Sequence, residues 1–175
     1  PHGAELRQWL CARLLAAYRG VAETVALLQP HCTPTSCPCM CAGKHITYRW
    51  AEPDDHMPPR DLNAQDYLRA LLQLAHRTLG GPGFALQEGL PLSSEWLQTV
   101  RMLSRRFIRV YAHAYLHHLQ DLEQAGSATR LLSHFLHLLF FTLEFDLVSA
   151  SDLASIKPIV KYFRELPVEK LPWHA

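Results

Sequence analysis

The amino-acid sequence predicts an all-α bundle that is held together by one metal-clipped loop. Three observations support this fold class. Most of the chain repeats its apolar residues at helical spacing, residues 31–62 are irregular and rich in proline, and four of the five cysteines lie within one ten-residue stretch of that irregular region. We expect a single domain over residues 1–175, with at most a short β-hairpin in the irregular part.

The first half of the chain predicts two helices on either side of the irregular region. Residues 5–29 form an apolar stripe that Pro30 ends. Within the irregular region, residues 46–50 are predicted as one strand of a hairpin. Asn63 or Asp61 caps the second helix, residues 65–79, and the glycine-rich turn at 80–83 stops it.

The second half predicts three more helices. Ser93 or Ser94 begins a long helix that continues to about residue 124. Residues 127–145 are strongly apolar, so we expect this helix to be central and buried. Ser151 and Asp152 open the last helix, which runs to about residue 166 with a kink at Pro158.

Composition narrows the function classes. The formal net charge of +1 gives no general attraction to nucleic acid or acidic lipid, and no apolar run reaches the length of a membrane span. A secreted disulfide scaffold would spread an even number of cysteines along the chain, whereas clustering suits a reducing compartment and a metal. We therefore expect a cytoplasmic protein, with the nucleus as a second location.

Cysteines and histidines at metal-ligand spacing predict a closed zinc site. Cys32 and Cys37 lie in the irregular region, and His113 and His118 lie on the third helix. Two thiolates and two imidazoles suit a structural, tetrahedral zinc ion without a position for a reactive water. The alternative is that buried thiols and histidines merely co-occur, since the chain has 11 histidines. Other ligands compete for the same role: Cys39, Cys41 and His117.

Helix geometry favours a different histidine. On a straight α-helix, His113 and His117 are separated by about 40° of arc, but His113 and His118 by about 140°. A kink or π-bulge would be needed to turn His118 towards the same ligand. Both pairs remain open on this argument.

A basic cluster precedes these histidines on the same helix. Arg105, Arg106 and Arg109 fall within about 100° of arc, and no carboxylate lies within one turn of them in the sequence. Unpaired guanidinium groups of this kind bind phosphorylated side chains through bidentate, charge-assisted hydrogen bonds. The alternative is a solvated basic face, or pairing with acids that the fold brings in.

Trp9 lies at the edge of the apolar stripe on the first helix, one turn after Glu5. Tryptophan at such a place either packs under a neighbouring loop or anchors a partner helix. On the helix alone, packing under a neighbouring loop is the favoured alternative.

The order of these motifs resembles the Mob (Mps one binder) or phocein family of kinase co-activators and scaffolds. The resemblance covers nearly the whole chain. It is carried by Leu6-x-x-Trp9, by the segment from His31 to Gly43, by Tyr48-Arg49-Trp50, by the segment from Arg105 to Tyr115, by Ser133-His134-Phe135 and by Glu144-Phe145-Asp146-Leu147.

The resemblance implies roles for the candidate residues. It implies that structural zinc is bound by Cys32, Cys37, His113 and His118, with His117 as a neighbour. In some members a basic pocket takes a phosphothreonine of an upstream kinase or scaffold, and it corresponds to Arg105, Arg106 and Arg109.

The resemblance also implies a second surface. Members that activate kinases of the NDR/LATS type present carboxylates beside the tryptophan of the first helix, which implies kinase binding through Glu5 and Trp9. The chain departs from that pattern at Gln8, where an acid is expected, and at Ala17, where an aromatic residue is usual.

The leading functional prediction is a non-catalytic, monomeric adaptor that binds a phosphothreonine peptide and a kinase or scaffold segment. Alternatives are a scaffold subunit of a phosphatase or kinase assembly that does not read phosphopeptides, and a zinc-dependent enzyme. No nucleophile elbow, P-loop or His-Glu-x-x-His motif supports the enzyme. Nucleic-acid binding is disfavoured because the chain lacks an extended basic stripe.

Overall fold

Helices make up most of the chain in the computed structural model, which describes residues 3–53, 56–84 and 92–165. This confirms the predicted all-α fold with a short hairpin. In chain order the elements are α1 (Gly3–Leu28), β1 (Cys41–Ala42), β2 (Ile46–Thr47), α2 (Ala64–Gly80), α3 (Ser94–Gln124), α4 (Ala128–Glu144) and α5 (Lys157–Glu165), with short 3₁₀ helices at Pro82–Phe84 and Ala154–Ile156.

Side-chain caps set the starts of α2 and α3. The Asn63 side chain accepts a hydrogen bond from the Asp66 backbone N–H at 2.9 Å, and the Ser93 hydroxyl accepts one from the Trp96 N–H at 3.2 Å. Each cap satisfies a donor that a helix start leaves without an intrahelical partner. Of the alternatives predicted at the two starts, Asn63 and Ser93 are the caps.

The long helix α3 lies at the centre of the bundle. It packs against α1, α2, α4 and β1, whereas α4 packs mainly against α1 and α3. Both helices bury an apolar face, so the expected burial of α4 is confirmed, and α3 shares the interior of the bundle with it. The apolar stripe of α4 is wide because this helix packs on two neighbours, α1 and α3. The buried residues of α3 face more neighbours, since that helix also packs on α2 and β1.

The irregular region is organised by a few backbone pairs. β1 and β2 are antiparallel, and the predicted strand over 46–50 is shorter than expected, since β2 ends at Thr47. Trp50 instead exchanges two backbone hydrogen bonds with Arg60, both at 2.8 Å. Gly43 turns the hairpin at a φ of +68°, which residues with a Cβ rarely adopt. These pairs bring Trp50 and the cysteines to one side of α3.

The last helix differs from the prediction in its start and its shape. Ser151 and Asp152 form a turn before α5, in which the Asp152 carboxylate accepts a hydrogen bond from the Ser149 N–H at 2.8 Å. Pro158 lies in the first turn of α5, where its missing N–H has no intrahelical partner to lose, so no kink is required. The predicted end at residue 166 lies outside the described residues.

None of the described helices is both long enough and apolar enough to cross a membrane.

Candidate metal centre and arginine pocket

The four predicted metal ligands lie together in the structure. Cys32 and Cys37 come from the loop after α1, and His113 and His118 come from α3. All four are buried, and their ligand atoms all lie within 4.8 Å of one another. The Cys32 Sγ is 3.4 Å from the His113 Nε2, and the Cys37 Sγ is 3.3 Å from the His118 Nε2. Each cysteine therefore faces one histidine.

Local hydrogen bonds shape the loop that carries the two cysteines. The Cys32 N–H donates to the Leu28 carbonyl at 2.8 Å and continues the end of α1. Thr33 and Ser36 cap each other, since each backbone N–H donates to the other's hydroxyl, at 2.9 and 3.1 Å. Side chains of this type stabilise tight turns through their own backbone neighbours. The turn brings Cys32 and Cys37 to the same face of the loop.

Hydrogen bonds at the far side of each imidazole orient its free nitrogen. The His113 Nδ1 lies 2.8 Å from the Cys41 carbonyl oxygen, and the His118 Nδ1 lies 3.2 Å from the Asp121 carboxylate. Both partners only accept, so each Nδ1 carries the proton and each Nε2 presents its lone pair to a cysteine. Metal-ligating histidines typically have this outer arrangement.

The distances suit a tetrahedral metal ion. With Zn–S and Zn–N bonds of about 2.3 and 2.05 Å, a tetrahedral site separates sulfur from nitrogen by about 3.6 Å. The two cysteine–histidine distances are 3.4 and 3.3 Å. Two thiols and two imidazoles complete four coordination positions, so the residues present fit a closed metal site.

Burial favours the neutral forms of Cys32 and His113. It raises the pKa of the Cys32 thiol to about 12, with the neighbouring Cys37 as a further cause. Burial also lowers the pKa of His113 to about 4. A neutral imidazole is ready to bind a metal, whereas each thiol must first lose its proton. A cation that binds the thiolates in place of those protons would therefore stabilise the buried cluster.

The helix does not need a kink to use His118. α3 is α-helical from Ser94 to Gln124, without a π turn. The expected distortion was therefore wrong, because the two cysteines lie five residues apart and meet the two histidines separately. His117 points outwards and is exposed; its Nε2 lies 3.5 Å from the Cys41 Sγ and accepts the Gly43 N–H at 3.1 Å.

The three predicted arginines line one pocket on the other side of the irregular region. Arg106 donates to the Ala51 carbonyl at 2.6 Å and lies over the Trp50 ring at 4.4 Å. Arg109 donates to the Tyr67 hydroxyl at 3.0 Å, and Arg105 is exposed. The pocket has a volume of about 430 Å³. It is lined by these three arginines together with Thr47, Arg49, Ala51, Pro59, Met102 and Asp152.

Positive charge exceeds negative charge in this pocket, where Asp152 is the one acidic lining residue beside four arginines. Within residues 3–53, 56–84 and 92–165, no carboxylate forms an ion pair with Arg105, Arg106 or Arg109, while Arg49 pairs with Asp61 at 3.2 Å. The Arg106 Nη1 is buried and has no hydrogen-bond partner among the described residues. Burial lowers the pKa of Arg106 from its usual high value, but the group stays charged at neutral pH. An anion in the pocket would meet oriented donors.

The predicted kinase-binding residues lie near the start of α1. Trp9 is 40% exposed, packs against Phe145 at a centroid distance of 4.8 Å, and has the Arg13 guanidinium 4.9 Å above its ring. Glu5 is exposed one turn earlier on α1. Trp9 also forms one wall of a groove between α1 and α4 with a volume of about 920 Å³.

Comparison with known proteins connects these features. The Mob1/phocein family profile matches residues 1–156 of the chain. The chain belongs to the Mob1/phocein family. It is 28% identical to MOB kinase activator 3A of Homo sapiens over 90% of this chain and 73% of that protein. It is 30% identical to MOB kinase activator-like 1A of Medicago sativa subsp. falcata, over 91% of this chain and 75% of that protein. The predicted family resemblance is confirmed.

The groove of this Mob1/phocein chain is not acidic. Its lining has three positively charged residues, Arg13, Arg19 and Arg164, and two negatively charged residues, Glu23 and Glu144. Glu23 already binds the His134 ring at 2.9 Å. Ala17 also lines the groove, and its small side chain leaves the groove open where a larger residue would fill it.

Sequence reasoning missed the residues that support both candidate sites. Asp121 was not linked to the metal ligands, yet its carboxylate orients His118. Its signal was the three-residue spacing from His118, which places both side chains on the same helix face. Trp50 and Ala51 were not linked to Arg106, because only the tertiary fold brings the loop to α3.

Proposed function

We propose that this Mob1/phocein chain is a non-catalytic adaptor that binds phosphothreonine peptides and a segment of a protein kinase or scaffold. Two relatives compared above are named kinase activators, which supports a role beside a kinase. The observation that carries the peptide half of the proposal is the set of unpaired guanidinium groups that line one pocket.

Structural zinc is part of the proposal. Cys32, Cys37, His113 and His118 would hold the ion, and their burial leaves no open position for a substrate. Zinc at such a site supplies folding free energy rather than catalysis. A zinc-dependent enzyme is the weaker alternative for this reason.

The arginine pocket suits a dianionic phosphate. The Arg106 guanidinium is held by the Ala51 carbonyl and the Trp50 ring, and the Arg109 guanidinium by the Tyr67 hydroxyl. Pre-oriented groups lose little side-chain entropy on binding, and guanidinium groups form bidentate bonds with phosphate oxygens. Exposed Arg105 would close over the phosphate from the pocket rim.

The Glu5–Trp9 face is the proposed site for the second partner. A kinase of the NDR/LATS type carries a basic segment, for which Glu5 supplies charge and Trp9 an aromatic anchor. Arg13 over the Trp9 ring and Gln8 on the same helix weaken that complementarity. This observation favours a second candidate function, a scaffold subunit of a phosphatase or kinase assembly that meets a different segment.

Calorimetric titration tests the phosphopeptide proposal. Phosphothreonine peptides and their unphosphorylated forms are titrated into the zinc-loaded protein, its Arg105→Ala/Arg109→Ala variant and the control Arg130→Ala, which removes an exposed arginine of α4. We expect phosphate-dependent binding to the wild type and the control that the double variant loses. Equal binding of phosphorylated and unphosphorylated peptides would refute it and favour the scaffold function.

Cytoplasmic location, a monomeric state and a single domain remain predictions from the sequence. They fit an adaptor whose two binding faces lie on one small bundle. A mass measurement in solution, together with imaging of the tagged protein, checks the first two.

A further inference from the structure

A smaller cavity adjoins the arginine pocket. It has a volume of about 100 Å³ and shares two lining residues, Arg109 and Asp152, with that pocket. Its lining also includes the hydroxyl-bearing residues Tyr48, Ser151 and Ser155. A water molecule takes about 30 Å³, so this space suits the end of one side chain. Because the two cavities share a wall, one extended ligand can occupy both.

The Asp152 carboxylate is the acidic group of both cavities. Asp152 is half-buried, and its Oδ2 accepts hydrogen bonds from the Ser149 N–H at 2.8 Å and from the Ser149 hydroxyl at 2.7 Å. Within residues 3–53, 56–84 and 92–165, its Oδ1 accepts no hydrogen bond and no arginine forms an ion pair with it. The turn therefore holds one carboxylate oxygen and leaves the other for a ligand that donates a hydrogen bond.

Two hydroxyl groups strengthen the acceptor character of the small cavity. The Tyr48 and Ser155 hydroxyl oxygens lie 3.1 Å apart, so one of the two groups donates to the other. Each hydroxyl has a single hydrogen but two lone pairs, and this bond uses one hydrogen of the pair. The wall beside Asp152 thus offers more acceptors than donors.

Arg109 is occupied on the other side of this wall. Its guanidinium donates to the Tyr67 hydroxyl at 3.0 Å and lies over the Tyr48 ring, 5.0 Å from the ring centroid. In the proposed function the same guanidinium also binds a phosphate in the larger pocket, and the negative charge of the phosphate offsets that of the arginine. With the phosphate bound, Asp152 determines which side chain the small cavity accepts.

We propose that the small cavity is a specificity subsite for a hydrogen-bond-donating side chain, such as a carboxamide, that lies close to the phosphothreonine and donates to Asp152. This inference rests on the proposed phosphopeptide binding. Consecutive residues of an extended peptide are about 3.3–3.6 Å apart, so a residue one or two positions from the phosphothreonine reaches the neighbouring cavity. A carboxylate at that position would face Asp152 and be rejected by like charge.

Peptides that differ only by an amide or a carboxylate test the subsite. Phosphothreonine peptides with glutamine or glutamate at each position up to two residues before or after the phosphothreonine are titrated into the zinc-loaded full chain. The excess of arginine in the larger pocket would by itself favour glutamate, so a preference for glutamine reports the Asp152 carboxylate. We expect roughly tenfold tighter binding of the glutamine peptide at one position, the size expected for a hydrogen bond to a charged group.

Asp152→Asn is the variant that isolates this charge. Asparagine keeps an oxygen that accepts the Ser149 N–H, so the turn before α5 is preserved. We expect the preference for glutamine to disappear or reverse in this variant, and to persist in Glu123→Gln, the same chemical change at an exposed site of α3. A phosphopeptide with alanine at the discriminating position should bind Asp152→Asn at least as tightly as wild type, which reports an intact arginine pocket.

The outcomes separate the subsite from the phosphopeptide proposal. Phosphate-dependent binding with equal affinity for glutamine and glutamate at every position would overturn the subsite alone, and this result needs only the wild-type protein. An unchanged preference for glutamine in Asp152→Asn would do the same. Loss of phosphate dependence in every peptide would instead overturn the proposed function, and the subsite with it.

Discussion

Single residues outside the ligand set determine how well the buried cluster binds a metal. Asp121 accepts from the His118 Nδ1 and so fixes both the tautomer and the ring orientation. The Cys41 carbonyl does the same for His113 without using a side chain. Partners of this kind tune metal affinity although they never touch the ion.

Removing the Asp121 carboxylate is the first test at this scale. We expect Asp121→Ala to weaken zinc binding at the buried site by about 10- to 100-fold, because His118 loses its orienting partner. Competition with a chelator of known affinity measures the change. Glu123→Ala, an exposed acid two residues further along α3, is the control. An unchanged zinc affinity in Asp121→Ala would show that the carboxylate does not orient His118.

Arg106 tests whether the pocket depends on guanidinium geometry or only on charge. Arg106→Lys keeps the charge but loses the fork that binds phosphate at two points and lies over Trp50. We expect phosphopeptide affinity to fall roughly tenfold or more, since hydrogen bonds to charged groups are worth about 1.5–3 kcal/mol. Titration of the same peptide into Arg130→Lys provides the matched control. Equal affinity of Arg106→Lys and wild type would indicate a purely electrostatic pocket.

At the scale of elements, α1 approaches α3 and α4 closely at one glycine. A Cβ built on Gly20 would lie 3.0 Å from the His134 ring and 3.1 Å from the Tyr111 hydroxyl. Tyr111 is almost fully buried, and Glu23 holds His134. Neither neighbour can move away freely, so the absence of a side chain at position 20 determines how closely the helices pack.

Gly20→Ala and Gly80→Ala make a matched pair for this contact. Alanine improves helix propensity by up to about 1 kcal/mol at either site. At position 20, overpacking costs about 1–3 kcal/mol, so we expect a net loss of stability. At position 80 no atom lies within 4 Å of the added Cβ, so we expect no loss. Urea unfolding of both variants measures the difference in stability. A more stable Gly20→Ala variant would show that α1 and α4 can move apart at little cost to make room for the added methyl group.

Local signals predicted most elements, and tertiary contacts explain the errors. Asn63 and Ser93 cap helices because their side chains reach their own backbone, which sequence reveals. The shortening of the predicted strand at 46–50 depends on Trp50 pairing with Arg60, a partner that no local pattern indicates. Likewise, the place of Pro158 in α5 depends on the turn at Ser149 and Asp152.

The candidate sites were predictable in their residues but not in their surroundings. The four proposed metal ligands and three arginines were named from spacing and resemblance. Ideal-helix geometry preferred His117 over His118, because it ignored a loop that meets each histidine with its own cysteine. The arginines that line the groove beside Trp9 come from both α1 and α5. The sequence of either helix alone therefore does not predict that they meet in one groove.

At the scale of the whole molecule, the buried cluster connects the irregular region to the bundle. Cys32 and Cys37 attach the start of the loop to α3, and the Cys37 carbonyl accepts the Ala64 N–H at 3.0 Å, where α2 begins. Among its described residues this region forms a two-residue hairpin and one bridge, and it also buries Met40, Ala42 and Trp50 in the core.

Metal removal should therefore destabilise the molecule. We expect chelation to lower the free energy of unfolding by several kcal/mol, because a tightly bound ion stabilises only the folded state. Thermal unfolding with and without a chelator measures the change. Readdition of Zn²⁺ is the control and should restore the midpoint. Identical midpoints would contradict a structural metal.

We expect the metal-clipped loop to organise the arginine pocket, because Trp50 and Ala51 of that loop hold Arg106. Phosphopeptide titration into zinc-loaded and zinc-free protein, at a temperature where both retain their helical circular dichroism, tests it most directly. We predict that removing zinc weakens the phosphate-dependent part of the affinity by roughly tenfold or more, the loss expected for charged hydrogen bonds. Equal phosphate-dependent affinity with and without zinc would contradict it.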